Sequence, residues 1–145
     1  MDELGIQHDL CAEANSLGAY AFKSNCRFLV GIPDLSIQWP GLPHIWLEIK
    51  YARGIRRDGF AKLQLTSRQR GFIIRTQAAG GLSGWLLVAR VGTRGDYLLS
   101  CGTDPSVTSV NMLGDDVMKR ERGGTWPIEE AVRRLAGGID DATSV

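Results

Sequence analysis

Little in this sequence suits a membrane protein or a secreted framework. No uninterrupted apolar run reaches the roughly 18 to 20 residues needed to cross a bilayer. The opening residues are acidic (Asp2, Glu3, Asp9, Glu13) and lack the basic-then-apolar order of a secretory signal. Only three cysteines occur, Cys11, Cys26 and Cys101, widely spaced and with no CxxC pair. That argues against a disulfide scaffold and against a thiolate zinc site. Reduced thiols in or near the core of a cytoplasmic protein are expected instead. The two histidines, His8 and His44, have neither HExxH nor paired spacing, so neither is assigned a catalytic role. The glycine-rich stretches lack the strand–loop–helix setting and the lysine of a phosphate-binding loop, and no nucleotide cofactor is expected.

What is present is a chain of 145 residues, 43% apolar and 23% charged. One domain with a sizeable core is the expectation for residues 1–145. Net charge is only +1, yet its sign depends on position. Residues 1–19 hold four acids and no Lys or Arg. Tyr20 to Ser100 holds twelve Lys or Arg against four Asp or Glu, and the remainder is acidic again. A basic middle in a near-neutral chain suits a local polyanion-binding surface, and suits equally a solvated face paired with the acidic ends.

Apolar residues at Ile6, Leu10, Ala14 and Leu17 predict a helix over 3–17, with Asp2 as N-cap and Gly18 as its stop. Residues 19–30 read as a strand, broken by Gly31-Ile32-Pro33. Asp34 to Trp39 and His44 to Tyr51 alternate about the turn Pro40-Gly41-Leu42-Pro43 and predict a β-hairpin, with Trp39 stacking on Trp46 across it. Residues 51–61 read as a loop. Thr66 or Ser67 caps a helix through Gln77 that ends at Gly80-Gly81. Trp85 to Val91 and Asp96 to Cys101 predict a second strand pair. A short helix is expected over about 127–136, with the Gly/Asp/Ser-rich stretches 102–124 and 137–145 left without fixed structure. The sum is an α/β domain with one central mixed sheet flanked by helices.

The hairpin also gathers chemistry. Asp34 opens one strand, and Glu48 and Lys50 sit two apart on the next, so their side chains share a face. Folding about Pro40-Gly41 brings Asp34 opposite Glu48. Hard oxygen ligands of this kind suit Mg²⁺, with Mn²⁺ able to substitute. Such an ion can activate water and stabilise charge building on a phosphate. A Glu-x-Lys alone is far more often an exposed cross-strand ion pair than a catalytic site.

The stretch Gly31-Ile32-Pro33-Asp34-Leu35, followed by Trp46-Leu47-Glu48-Ile49-Lys50, resembles the core of the PD-(D/E)XK nuclease superfamily. Leu65-Thr66-Ser67-Arg68-Gln69-Arg70-Gly71-Phe72 is similar to the helix that follows in that core, and 78–88 to its next turn and strand. Within the superfamily the chain looks most like phage-type Holliday junction resolvases and the VRR-NUC nucleases. The resemblance implies a restriction-endonuclease-like core over about residues 1–101, followed by an acidic C-terminal extension. It implies Asp34 and Glu48 as metal ligands, with the Ile49 carbonyl, Lys50 as the catalytic lysine, and Gln69 lining the site. A first-helix acid often joins such sites. Glu3 and Glu13 flank the apolar stripe alike, and the resemblance favours Glu3 for its place near the helix start. Lys23, Arg27, Arg53, Arg56, Arg57, Lys62, Arg68 and Arg70 would contact phosphates. The implied protein is a Mg²⁺-dependent endonuclease on branched or junction DNA, a homodimer in a bacterial or phage setting. The alternatives are a restriction-type or mismatch nuclease on duplex DNA and a catalytically silent DNA-binding module of the same fold.

Overall fold

The computed structural model describes residues 3–24 and 32–143, with side chains up to Gly137 in the last helix. The elements are α1 (Glu3–Ser16), β1 (Tyr20–Lys23), β2 (Leu35–Gln38), β3 (Ile45–Ala52), β4 (Phe60–Lys62), α2 (Ser67–Ala78), β5 (Leu82–Val91), β6 (Asp96–Gly102), β7 (Ser109–Asn111), β8 (Met118–Arg120) and α3 (Ile128–Thr143). Six strands form one mixed sheet in the order β1-β2-β3-β5-β6-β8, and β4 pairs with β7 in a small second sheet. All pairs are antiparallel except β3 with β5, which run parallel. That connection passes through β4 and α2, as a parallel crossover requires. The central mixed sheet flanked by helices is the expected architecture.

Alternation along the strands divides the core in two. One face turns Leu35, Ile37, Ile45, Leu47, Ile49, Leu86, Val88 and Leu99 toward Ile6, Leu10 and Ala14 of α1 and Ile128, Val132 and Leu135 of α3. The other turns Trp85, Leu87 and Ala89 toward Ile73 of α2 and Ala61, Leu63 and Met112 around the small sheet. Leu47 and Ile49 are fully buried, so their neighbours Glu48 and Lys50 must emerge opposite, beneath α2.

Several expectations need correcting. The stretch 51–61 is not all loop, because β3 runs to Ala52 and Phe60 begins β4. Residues 102–124 supply β7 and β8, short strands paired with β4 and β6. Three-residue strands carry too little alternation to stand out from a Gly/Asp/Ser-rich background. The last helix is longer than 127–136, continuing through Gly137 and Gly138 to Thr143. The sheet and core are not confined to about 1–101, since Met118, Trp126, Ile128, Val132 and Leu135 are buried in the same cluster as α1. Asp2, Cys26, Arg27 and the strand expected as far as Val30 lie outside the described residues.

Candidate active site

Leu35 pairs with Leu47 and Ser36 with Trp46 across β2 and β3. One residue further in that register, Asp34 faces Glu48. The Asp34 Oδ2 accepts the Ile49 backbone N–H at 2.9 Å, which pins the carboxylate at the mouth of the strand pair. Lys50 Nζ stands 3.9 Å from Glu48 Oε1.

Glu48 is 2% exposed. Gln69 Nε2 donates to its Oε1 at 2.7 Å, whereas its Oε2 is buried with no hydrogen-bond partner among the described residues. Burying a carboxylate in this way is costly unless something offsets the charge. Burial, reinforced by the Asp34 charge and opposed by Lys50, pushes the Glu48 carboxyl up to about 9. Burial also raises Asp34, against the opposing pull of the Ile49 N–H, and the two carboxyls are close enough to hydrogen-bond when they share a proton. Glu3, at the start of α1, is raised by burial, with Lys50 opposing and Asp34 adding to the shift. It therefore stands in the field of both. Glu13 is engaged elsewhere, accepting the Ser16 hydroxyl at 3.0 Å. The first-helix acid near the pair is Glu3.

Gln69 is placed by helix capping. Thr66 Oγ1 accepts the Gln69 backbone N–H at 3.2 Å, and Gln69 Oε1 accepts the Thr66 backbone N–H at 2.9 Å. This capping box fixes the start of α2 and aims the amide nitrogen at Glu48.

Among the described residues, no group of three or more His, Cys, Asp or Glu side chains clusters in a way that could hold a metal ion. The candidate donors are fewer and harder: two facing carboxylates, one with a buried oxygen that has no partner among the described residues. That set fits a hard divalent cation that keeps several waters and is held through one or two carboxylates.

The proposed phosphate contacts divide. Arg53, Arg57, Lys62 and Arg68 are exposed, the first two in the loop leaving β3 and the third on β4. Arg56 pairs with Asp58 at 3.3 Å, and Arg70 Nε donates to the Leu65 carbonyl at 3.3 Å. Lys23, at the end of β1, is near enough to lower Asp34.

Sequence reasoning missed the rest of this face. Ser36 Oγ and His44 Nε2 share a hydrogen bond. Trp46 packs edge-to-face on His44 (5.0 Å between centroids) and on Phe72 of α2 (5.7 Å). The expected Trp39–Trp46 stack is absent, because Trp39 is buried in the core on the opposite face. Counting back by twos from Glu48 would have found Trp46 and His44.

No protein-family profile matches the chain, and neither does any curated protein. Among solved structures the chain is similar to Hjc, a Holliday junction resolvase from the archaeal hyperthermophile Archaeoglobus fulgidus. The TM-score is 0.50 at 13% identity, covering 88% of this chain and 98% of that one. The likeness establishes the fold: this chain shares the resolvase's mixed α/β architecture, with helices flanking the sheet.

Proposed function

We propose that the protein is a divalent-metal-dependent endonuclease that hydrolyses phosphodiester bonds in branched DNA, four-way junctions included. The observation that carries this reading is the facing of Asp34 and Glu48 across β2 and β3, with Lys50 Nζ 3.9 Å from Glu48. A resolvase as a fold neighbour supports the choice of branched DNA, and no helix among the described residues is long and apolar enough to cross a membrane.

Asp34, Glu48 and the Ile49 carbonyl would hold Mg²⁺ or Mn²⁺, with Glu3 at the margin of the site. The ion, when bound, would supply charge stabilisation at phosphorus and ease ionisation of the attacking water. The protein's own groups do the rest. Lys50 is 17% exposed, open enough to orient a water or to balance charge on the phosphate. Gln69 holds Glu48 in one orientation through Oε1, leaving Oε2 available. The exposed Arg53, Arg57, Lys62 and Arg68 would take neighbouring phosphates. Because a four-way junction has two-fold symmetry and each chain has one site, paired cuts call for a homodimer or for sequential visits by one chain.

Cleavage of a mobile four-way junction is compared with cleavage of a linear duplex of identical sequence, in Mg²⁺ and in Mn²⁺. Faster junction cleavage is expected. Equal rates overturn the junction preference and leave a restriction-type or mismatch nuclease. Binding without cleavage in either metal overturns the nuclease reading and leaves a DNA-binding module.

A further inference from the structure

The face that carries Asp34, Glu48 and Lys50 continues toward the free edge of the sheet, where no described helix covers it. Strand register places Phe22 beside Ser36 and Tyr20 beside Gln38 on that face, in line with Trp46 and His44 on β3. Tyr20 is 71% exposed and Phe22 46% exposed, and their rings pack edge-to-face 5.9 Å apart. The half-buried His44, Trp46 and Phe72 form a second row, set about 10 Å away across β2 by the spacing of strands. Five rings therefore lie on one open surface that runs into the carboxylate pair. Trp46 stands two residues, about 7 Å, from Glu48 along the same strand.

We propose that this surface is a stacking platform for unpaired bases next to the cleaved phosphate. The proposal rests on the nuclease reading and names what its site recognises. Rings, not aliphatic side chains, make the open part of the surface, and a ring accepts any base through its π-face. Charge fits the same occupant. Arg68 and Arg75 lie four residues before and three after Phe72, hence on its side of α2. Both are exposed, and neither is in an ion pair among the described residues. Strand separation exposes bases at a flap, a splayed arm or an opened crossover, and an intact duplex offers none.

The test measures affinity in EDTA, where cleavage is prevented, for a 20-nucleotide oligo(dT) and for a linear duplex. Tyr20→Ala/Phe22→Ala is expected to weaken oligo(dT) binding about tenfold or more and to change duplex binding by less than about twofold. Oligo(dT) is expected to quench tryptophan emission of the wild type, and Trp46→Phe to abolish most of that quench. Unchanged oligo(dT) affinity in the double variant overturns the proposal. Equal loss on both DNAs, with a dimer becoming a monomer in sedimentation, overturns it in favour of a second copy of this chain as occupant. Mg²⁺-dependent cleavage by a protein whose affinity ignores Tyr20 and Phe22 overturns the platform alone. Ring-dependent binding without cleavage overturns the nuclease reading alone.

Discussion

Gln69 donates to Glu48 Oε1 at 2.7 Å with the same side chain whose carbonyl oxygen closes the N-cap of α2. A helix start and a candidate catalytic carboxylate are thereby one structural unit. The two roles separate by substitution. Gln69→Ala removes both and should lower stability by about 1–2 kcal/mol, as loss of a cap contact and a charged hydrogen bond predicts. Gln69→Glu still accepts the Thr66 N–H but meets Glu48 as a like charge. It should melt closer to wild type than the alanine variant at pH 5 and yet cleave about 10 to 100 times more slowly. Thermal melts beside single-turnover cleavage decide it, and wild-type rates in Gln69→Glu would remove Gln69 from the site.

Lys50 is the simplest handle on the chemistry. It is partly open to solvent and lies 3.9 Å from Glu48, so Lys50→Ala should fold normally. Cleavage in saturating Mg²⁺ should fall by about 10² to 10⁴, the range for losing a positioned proton-transfer or charge-balancing group. Full Mg²⁺-dependent activity in that variant would overturn its assignment.

The hairpin was legible because alternation and a Pro-Gly turn are strong local signals, and the shared face of Asp34, Glu48 and Lys50 followed from it. The cap at Thr66 was legible for the same reason. What escaped was non-local. Nothing near Phe60 or Ser109 announces that they belong to strands of one small sheet, because their stability comes from pairing across some fifty residues. Trp39 and Trp46 flank the turn as if to stack across it, but the register that pairs Ser36 with Trp46 leaves Trp39 on the opposite face, and only Trp46 shares a face with Glu48.

The sequence beyond residue 101 suggests only an acidic extension, yet Ile128 is fully buried against the α1 face of the sheet. Ile128→Ala should cost about 2–5 kcal/mol. Leu113, 69% exposed, provides the contrast, and Leu113→Ala should stay within about 0.5 kcal/mol. Urea denaturation of both variants checks this. A wild-type midpoint for Ile128→Ala would mean that α3 adds nothing to the core.

Phosphate contacts should show as salt dependence. Arg53, Arg57 and Lys62 are exposed and free of ion pairs among the described residues, whereas Arg56 is held by Asp58. Replacing any of the first three with Ala should reduce the slope of log affinity against log salt by about 0.9. Arg56→Ala should reduce it less. Titration of duplex DNA binding between low and moderate salt gives the slopes, and four indistinguishable variants would place the DNA on another surface.

The carboxylate pair makes a pH prediction for the metal-free protein. Glu48 is pushed up to about 9 from an ordinary value of 4.5, and Asp34 is raised as well. A carboxyl raised by folding gives up its proton later than the unfolded chain does. Its contribution to stability is therefore whole below the unfolded value and is lost as pH climbs toward the folded one. In EDTA the urea midpoint should fall between about pH 5 and pH 9. Glu48→Gln cannot ionise there, so most of the fall should vanish, leaving the smaller slope from Asp34. Added Mg²⁺ should raise the wild-type midpoint most at the alkaline end, where the proton it displaces is most weakly held, and should do far less for Glu48→Gln. A wild-type midpoint that is level across this range in EDTA, or a Mg²⁺ effect of equal size in both proteins, would mean that the two carboxyls do not share one buried site.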